Sequence, residues 1–323
     1  MALLYATRRI PEAGLAKLRG AGHEVDVSEK DGVLTHDELL AAVAARPYEG
    51  LVTLLTDTIG ADVLAAAPQV KIIANYAVGY NNISLPDTTA RGIIVTNTPG
   101  VLTNTVAEFT IAMMFAIAKR ISEAERFVRA GRFEGWAPEL LLGSDLRGKT
   151  LAIVGAGRIG GEVAAAAHFG LGMNIIYTDM KRNEAMEAKV PCTFVEALDD
   201  VLPQADVVSI HVPLLPETTH LISADRLARM KKTAYLINTA RGPIVDEAAL
   251  IEALQTGVIR GAALDVFEAE PTIAPALLAL DNVVATPHIA SASIETRDKM
   301  AEMVADNIIA YFTEQTPANV VVA

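Results

Sequence analysis

The segment Thr150–Gly161, TLAIVGAGRIGG, decides the fold of this protein. Leu151–Val154 is a short apolar run, which is typical of a parallel strand buried on both faces. Glycines follow at Gly155, Gly157 and Gly160, and a helical pattern comes next. The first glycine permits a tight turn, the second lets the backbone approach a pyrophosphate, and the third lets the helix pack closely on the strand.

This turn predicts a dinucleotide site. The N–H groups of Arg158 and Ile159 open the helix, where free donors and the positive end of the helix dipole face phosphates. A second apolar run, Met173–Thr178, ends at Asp179, at about the 20-residue distance expected for the acidic residue that accepts hydrogen bonds from the ribose hydroxyls. A carboxylate there repels a 2′-phosphate, so we expect NAD rather than NADP, although two basic residues follow closely. The alternative is that Asp179 is an ordinary solvent-exposed loop acid.

Composition narrows the class of protein. A chain of 323 residues most naturally forms two domains of ~150 residues each. The net charge is −12 and no run is strongly basic, which argues against a nucleic-acid partner. Cys192 is the single cysteine, so a disulfide framework is excluded and a reducing compartment is expected. No apolar run approaches ~18 residues, and the basic pair Arg8-Arg9 follows rather than precedes the first apolar residues, against the order in a secretory signal. We therefore expect no membrane partner and a cytoplasmic protein.

The chain before the glycine turn alternates between strand-like and helix-like patterns. A capping box at Thr35 and Glu38 predicts the start of one of these helices, and the repeated βα rhythm predicts a parallel sheet covered on both faces. No glycine fingerprint occurs here, so we do not expect this part to hold the nucleotide. The predicted strands are 3–6, 24–27, 51–55, 72–75 and 93–96.

Two helical patterns, 103–119 and 121–130, lead into the glycine turn. They are unusually apolar, which fits either a core or a subunit interface. The βα rhythm then resumes, and a last helix over 294–312 is expected to return to the first domain. The predicted domains are therefore 1–98 with 290–323, and 99–289. Strands of the second domain are predicted at 151–154, 174–178, 192–194, 207–210, 234–238, 261–265 and 283–286.

Three side chains that can carry chemistry follow predicted strands: Arg241, Asp265 and His288. In open α/β sheets, ligands bind beyond the carboxyl ends of the strands. The guanidinium of Arg241 has the planar shape that matches a carboxylate, although a surface arginine capping the next helix is the alternative. Histidine titrates near neutral pH and suits proton transfer, but a buried structural histidine is equally open for His288.

Other groups near these strands are less distinctive. A carboxylate partner would orient the His288 ring, and both Glu270 and Glu268 are candidates, as is a plain acidic loop. His211 precedes Val212-Pro213 in a loop at a strand's carboxyl end and is a candidate for lining the cofactor site. No histidine and cysteine cluster has metal-ligand spacing, so no metal is expected. A hydrolase elbow and a P-loop lysine are absent as well.

Several blocks, taken together, resemble the D-isomer-specific 2-hydroxyacid dehydrogenase family. The resemblance covers essentially the whole chain and implies a flavodoxin-like substrate domain and a Rossmann nucleotide-binding domain, both doubly wound α/β folds with parallel sheets. Within the family the chain is most similar to glyoxylate/hydroxypyruvate reductases, on its length and on Gly135-Trp136. The blocks are NYAVGYNNIS (75–84), TNTPGVLTNTVAEFTIAM (96–113), GKTLAIVGAGRIG (148–160), INTARGPIVDEAAL (237–250), ALDVFEAEP (263–271) and TPHIAS (286–291).

The resemblance implies a catalytic set. Arg241 would bind the carboxylate and keto oxygen of a small 2-keto acid, and His288 would donate the proton in reduction and accept it in oxidation. Glu270 would pair with His288. The backbone N–H groups of Val78 and Gly79 would bind the substrate carboxylate.

The resemblance also implies roles around the cofactor. Asp265 would hold the nicotinamide carboxamide, and the family pattern adds Thr239 and Ala240 to the NAD-binding residues. Trp136 resembles an aromatic that lines the substrate site, often that of the neighbouring subunit, and a homodimer through the nucleotide domain is implied.

Two departures and two alternatives remain at this level. Asn81 stands where the family often has Asp, with little consequence expected. Many glyoxylate reductases prefer NADPH and carry basic or small residues where Asp179 stands. The similarity to glyoxylate reductases therefore favours NADPH, whereas Asp179 favours NAD. The chain could instead act on another 2-hydroxy acid such as 3-phosphoglycerate, or on phosphite, although Val78 offers no extra positive charge. A non-catalytic NADH-sensing protein is the alternative from another class, although those proteins carry tails that are not evident here.

Overall fold

The computed structural model describes residues 1–322. They divide into two compact units, here called the first unit (residues 1–102 together with those from 292 onward) and the second unit (residues 103–291). The divisions fall at 102/103 and 291/292, where the sequence suggested 98/99 and 289/290. Within residues 1–322, no helix has the length and apolarity needed to cross a membrane.

All strands in both units lie in parallel sheets. The first unit contains β1 Leu3–Ala6, β2 Glu24–Val27, β3 Gly50–Thr53, β4 Ile72–Asn75 and β5 Ile94–Thr96. The second contains β6 Thr150–Val154, β7 Asn174–Thr178, β8 Cys192–Phe194, β9 Val207–Ile210, β10 Tyr235–Asn238, β11 Gly261–Leu264 and β12 Val283–Ala285.

The helices alternate with these strands, as parallel pairing requires. They are α1 Glu12–Gly20, α2 His36–Ala44, α3 Ala61–Ala66, α4 Leu85–Ala90, α5 Thr103–Ala118, α6 Ile121–Arg129, α7 Arg158–Ala165, α8 Glu184–Glu187, α9 Leu198–Val201, α10 Ala224–Arg229, α11 Glu247–Gln255, α12 Pro275–Leu278 and α13 Ile294–Phe312. A turn of π-helix, Ala166–Gly170, continues α7. The sequence patterns described above predict α2, α5, α6, α7 and α13.

The five strands of the first unit are ordered β2-β1-β3-β4-β5, the flavodoxin-like arrangement. Both β3 and β4 are buried along their whole length, which explains their apolar sequences. The capping box predicted on α2 is confirmed, because the Thr35 hydroxyl accepts from the Glu38 N–H and the Glu38 carboxylate accepts from the Thr35 N–H.

The seven strands of the second unit are ordered β12-β11-β10-β9-β6-β7-β8. The chain runs outward from β6 in both directions, so the topological switch point lies between β6 and β9. Two apolar clusters cover the two faces of this sheet, one packed under α5 and α7 and the other under α10 and α11. The predicted fold class, two parallel-sheet α/β domains, is confirmed.

Helix α5 is buried on several sides in the second unit, and the next helix differs sharply from it. Seven of the α5 side chains are buried, whereas α6 has none. Beyond α6, the segment to residue 146 has no regular secondary structure and carries several exposed apolar side chains. The predicted strands and the long predicted helices are present, with ends that differ by one or two residues.

In the first unit, α1 packs tightly on α13, and the contact tolerates no side chain at Gly14. A Cβ there would come within 2.7 Å of the Ala301 carbonyl carbon, whereas one at Gly20, on the same helix, would meet nothing within 4 Å. We expect Gly14→Ala to lower the free energy of unfolding by about 1–3 kcal/mol through overpacking. Gly20→Ala should leave it unchanged or raise it by about 0.5–1 kcal/mol. Urea denaturation of both variants tests this, and equal effects would contradict it.

Candidate functional site

The glycine turn lies at the switch point of the second sheet. Gly155 adopts a φ of +96°, which favours glycine, and its N–H donates to the Thr178 carbonyl at 2.9 Å. A Cβ on Gly155 would come within 2.8 Å of the His211 and Val212 backbone. The turn after β6 is therefore packed directly on the loop after β9, which includes the predicted His211, Val212 and Pro213.

The start of α7 offers unpaired donors. Gly157 is the N-cap and supplies no side-chain hydrogen bond, and a Cβ on it would meet nothing within 4 Å. Gly160 sits against the Gly155 carbonyl, so the helix lies close to the strand. Among the acceptors of residues 1–322, none pairs with the N–H groups of Arg158 and Ile159. An exposed cradle of free N–H groups at a helix start suits a phosphate.

Asp179 is not a detached loop acid, because its carboxylate folds back on this turn. One oxygen accepts from the Ala156 N–H at 2.7 Å and the other from the Met180 N–H at 2.7 Å. Asn183 closes the loop from the other side, donating to the Ala156 carbonyl at 2.6 Å. The carboxylate thus lies beside the glycine turn, as the sequence spacing suggested.

The nearest arginine to Asp179 in sequence, Arg182, is held by another carboxylate. Its guanidinium donates to both oxygens of Glu187 at 2.8–2.9 Å. The Tyr177 hydroxyl also donates to Glu187 at 2.6 Å. The hydrogen bonds with Arg182 and Tyr177 lower the pKa of Glu187, which keeps it ionised. Arg182 is therefore directed onto Glu187.

His211 follows β9 and is an uncharged group at neutral pH. Burial lowers its pKa to about 4, and its Nε2 is 2.8 Å from the Ser209 hydroxyl. The His211 backbone N–H donates to the Val154 carbonyl at 2.7 Å. A neutral imidazole at this position adds no charge to the switch point.

The loop after β10 carries Arg241 and is shaped by a residue that the sequence analysis did not select. Asn238 is buried; its amide donates to the Arg241 carbonyl at 2.9 Å and accepts from the Ala240 N–H at 3.0 Å. The Thr239 hydroxyl lies 3.0 Å from that of Thr110 on α5. These bonds fix the direction in which the loop leaves the sheet.

Arg241 is largely enclosed, and burial lowers its pKa, an effect that the charge of Glu270 opposes. Its Nη1 donates to the Ala240 carbonyl at 2.7 Å. A guanidinium stays protonated in proteins, so Arg241 is a fixed positive charge at this edge. The following Gly242 packs against the Phe267 backbone without room for a side chain, which joins the arginine loop to the loop that carries Glu270.

His288 pairs with Glu270, as the family resemblance implies and as residue spacing alone left open. His288 Nδ1 is 2.9 Å from Glu270 Oε2, while Glu268 pairs with His220 at 2.7 Å. Burial raises the pKa of Glu270, but the hydrogen bonds from His288 and from the Phe267 N–H outweigh it, and the pKa is lowered overall. Glu270 is therefore a carboxylate at neutral pH.

Asp265 organises the backbone around His288. Its carboxylate is fully buried and accepts from the Thr286 hydroxyl at 2.7 Å, the Ile289 N–H at 2.9 Å and the Ala290 N–H at 2.7 Å. His288 adopts a φ of +55°, which is uncommon for a residue other than glycine, and these bonds hold it. Both Asp265 oxygens are thus engaged within this loop, and its predicted contact with the nicotinamide stays a prediction.

The remaining predicted residues lie elsewhere. Val78 and Gly79 belong to the first unit, in the loop after β4, and are half-buried. Trp136 is 86% exposed. Among residues 1–322, no group of three or more histidine, cysteine, aspartate or glutamate side chains is arranged to hold a metal ion.

Sequence reasoning missed the residues that support this site, namely Asn183, Asn238 and Thr286. For Asn238 a signal existed, because an asparagine ends the buried run Tyr235–Asn238 and a polar side chain there needs partners. Asn183 lies in a loop with no distinguishing pattern, and Thr286 ends the predicted strand 283–286 with nothing in the sequence to show that its hydroxyl meets Asp265. Only the folded structure shows what their side chains contact.

Known proteins resemble the chain over its length. The family model of the NAD binding domain of D-isomer specific 2-hydroxyacid dehydrogenases matches residues 111–290, more than half of the chain. A glyoxylate reductase of Korarchaeum cryptofilum is 49% identical over 321 residues, which cover 98% of this chain and 95% of that protein.

Solved structures of similar proteins have the same fold as this chain. The TT0316 protein of Thermus thermophilus superposes with a TM-score of 0.93 at 43% identity, covering 99% of this chain and 100% of that one. An NADPH-dependent glyoxylate/hydroxypyruvate reductase of Sinorhizobium meliloti, in complex with NADP and malonate, gives a TM-score of 0.86 at 33% identity, covering 99% and 97%. Family model, relatives and fold all lead to one conclusion: the chain belongs to the D-isomer specific 2-hydroxyacid dehydrogenases, a family of oxidoreductases that use a nicotinamide cofactor.

Proposed function

We propose that the protein reduces a small 2-keto acid, glyoxylate or hydroxypyruvate, to the D-2-hydroxy acid with NADH. The observation that carries the proposal is the His288–Glu270 pair, 2.9 Å between Nδ1 and Oε2, in a loop next to that of the enclosed Arg241. A proton donor and a fixed cation are what the reduction of a keto acid requires. The glyoxylate reductases among the relatives support the substrate class.

The cofactor's phosphates would be held by the N–H groups at the start of α7, with Gly157 leaving room for them. The fit rests on the free donors of Arg158 and Ile159 and on the position of Asp179 beside the turn. The loop that contains His211, Val212 and Pro213 packs on this turn, and Thr239 and Ala240 precede Arg241. When bound, the nicotinamide supplies the hydride that adds to the carbonyl carbon of the substrate.

His288 would supply the proton. Its Nδ1 is engaged by Glu270, so Nε2 is the nitrogen that faces the substrate and carries the proton to be transferred. The Glu270 carboxylate stabilises the imidazolium that must precede reduction and fixes the ring's orientation. In the oxidative direction the same Nε2 accepts the hydroxyl proton.

Arg241 would bind the substrate carboxylate and polarise the keto oxygen. A guanidinium can donate two parallel hydrogen bonds to a carboxylate, which a lysine cannot. The N–H groups of Val78 and Gly79 would add donors to the same carboxylate. As negative charge develops on the keto oxygen during hydride transfer, a fixed cation nearby stabilises it.

The reaction is tested by following NADH oxidation with glyoxylate, hydroxypyruvate and pyruvate. We expect turnover with glyoxylate or hydroxypyruvate, and a fall in kcat on the order of 100-fold or more for His288→Ala, since the proton donor is removed. Arg241→Lys should raise KM and lower kcat. The matched control is His220→Ala, which removes a histidine from the other histidine–glutamate pair and should leave turnover within about 3-fold of the unmodified protein.

A fully active His288→Ala variant would contradict the assignment of His288 as the proton donor. NADH binding without turnover of any keto acid would point instead to the non-catalytic NADH-binding alternative. Turnover confined to 3-phosphoglycerate would keep the chemistry but replace the substrate.

Two contacts support NADH over NADPH. The Asp179 carboxylate lies beside the glycine turn; there it would accept hydrogen bonds from the ribose hydroxyls, and a 2′-phosphate would meet a like charge. Arg182, the nearest arginine in sequence to Asp179, is tied to Glu187 by three hydrogen bonds and so is not directed at a phosphate. The Sinorhizobium meliloti relative is NADPH-dependent, so the preference of this chain needs a direct test.

We expect Asp179→Ser to reduce kcat/KM for NADH by roughly 10-fold, because charge-assisted hydrogen bonds to the ribose are lost. The same change should raise kcat/KM for NADPH. Adding Glu187→Gln should raise NADPH use further by releasing Arg182, and Glu184→Gln, on the same helix, serves as the control. A preference of the unmodified protein for NADPH would contradict the NADH assignment.

We further propose a homodimer formed through the segment 121–142. Helix α6 buries none of its side chains, and the segment exposes Val128 and Phe133 at 58% each and Trp136 at 86%. A run of large apolar side chains left in water is typical of an interface. A second copy of the chain is the occupant that the family resemblance implies.

Light scattering after gel filtration tests the dimer, and we expect twice the chain mass of 34.2 kDa. Phe133→Glu should shift the protein towards monomer, because it places a charge in the proposed interface. Phe169 is 66% exposed but lies outside the segment, so Phe169→Glu should remain dimeric. A monomeric unmodified protein, or equal effects of the two variants, would contradict the interface.

A further inference from the structure

Three consecutive carbonyl groups in the first unit are each held by a different donor. The Ala77 carbonyl accepts from the Thr98 N–H at 2.8 Å, and the Val78 carbonyl accepts from the Asn97 side-chain amide at 2.8 Å. The Gly79 carbonyl accepts from the Asn75 side-chain amide at 2.9 Å. The carbonyl oxygens of residues 77–79 therefore all point towards donors inside the protein.

The N–H groups of the same peptides are left without acceptors. No acceptor within residues 1–322 pairs with the N–H of Val78 or of Gly79, and both residues are half-buried. Buried or half-buried N–H groups normally find a partner. Adjacent free N–H groups pointing away from anchored carbonyls form an anion-binding concavity.

One of these asparagines, Asn75, forms a network with Asn82 and the neighbouring loop. Asn75, at the end of β4, is fully buried; its oxygen accepts from the Thr53 hydroxyl at 3.0 Å and its amide lies 3.3 Å from the Asn82 oxygen. Asn82 in turn donates to the carbonyls of Leu54 and Asp57 at 2.9 and 3.0 Å. The loops after β3 and β4 are therefore locked together by side-chain amides.

We propose that Asn97 is a positioning residue that sets the affinity for the substrate carboxylate by fixing the Val78–Gly79 peptide, which carries the Gly79 N–H, while Asn75 holds the next peptide, Gly79–Tyr80, in the same stretch. This rests on the proposed function, in which those N–H groups bind that carboxylate. Without the Asn97 donor, the 78–79 peptide is free to rotate. Its carbonyl oxygen then competes for the position that the N–H should hold, which weakens carboxylate binding but leaves hydride and proton transfer intact.

The test compares Asn97→Ala and Asn97→Asp with the unmodified protein. We expect KM for glyoxylate to rise roughly 10-fold in Asn97→Ala, the effect of losing one hydrogen bond in an anion site. The value of kcat and KM for NADH should stay within about 2-fold. Asn97→Asp should raise KM more than Asn97→Ala does, because an isosteric carboxylate cannot donate and repels the substrate's charge.

A higher KM for Asn97→Asp than for Asn97→Ala distinguishes a positioning role of Asn97 from a space-filling one. If Asn97 only fills space, the isosteric aspartate is the milder change and alanine the more severe. Asn174 provides a matched control in the second unit, since its amide also donates to a loop carbonyl, that of Gly148, at 3.1 Å. Asn174→Ala and Asn174→Asp should leave KM for glyoxylate unchanged. Thermal unfolding of each variant shows that the protein is folded, and Asn75→Asp is a second test if it folds.

Binding provides a readout independent of turnover. Calorimetric titration of oxalate, a dicarboxylate that cannot be reduced, into the protein saturated with NADH should give a Kd about 10-fold weaker in Asn97→Ala. An unchanged oxalate Kd and an unchanged KM in Asn97→Ala would overturn the proposal. If the unmodified protein reduces no keto acid, the proposed function fails, and weaker oxalate binding in Asn97→Ala still supports the positioning role.

Discussion

Parallel pairing is the constraint on which the rest of this structure depends. Because every strand of a sheet runs the same way, all the carboxyl ends meet at one edge, and each loop that leaves the sheet there begins beside another. In the second unit this brings the glycine turn after β6 against the loop after β9, and the arginine loop after β10 against the loop that carries Glu270. Thr239, in the loop after β10, also hydrogen-bonds to Thr110 on α5, 129 positions away in the chain.

In each of the two sheets, the loops at the carboxyl ends are held by buried polar side chains at or next to strand ends. Asn75 follows the apolar part of β4, Asn238 that of β10, and Asp265 comes directly after β11. Each hydrogen-bonds through its side chain with the loop that follows or with one beside it, the two asparagine amides as donors and the Asp265 carboxylate as an acceptor. Burial raises the pKa of Asp265, while the bonds from Thr286, Ile289 and Ala290 favour its charged form. A buried polar group without such partners would cost folding free energy, so these loops have one favoured conformation.

Features that depend on residues close together in the chain could be predicted from the sequence, and contacts between distant segments could not. Apolar runs bounded by glycines gave the strands, and the fingerprint gave the turn, since both depend on residues close in the chain. The spacing to Asp179 was informative because β7 lies next to β6 in the sheet. Spacing alone offered no such basis for choosing between Glu268 and Glu270, because the two lie almost side by side in the chain and the path of the loop decides which one reaches His288. Only the family resemblance pointed to Glu270. The asparagine network of the first unit was missed for the same reason.

The sequence by itself determined the fold class, the order of the elements, the nucleotide fingerprint and the type of chemistry that Arg241 and His288 can supply. Those properties follow from local backbone preferences, hydrophobic periodicity and side-chain chemistry. Only the tertiary structure decided that Asp265 supports the loop of His288, that Arg182 is bound to Glu187, and that Asn97 and Asn75 anchor the carbonyls of Val78 and Gly79. The contact between Glu270 and His288 agrees with what the family resemblance implied. Such pairings depend on small differences in distance between segments far apart in the chain, and packing alone sets those distances.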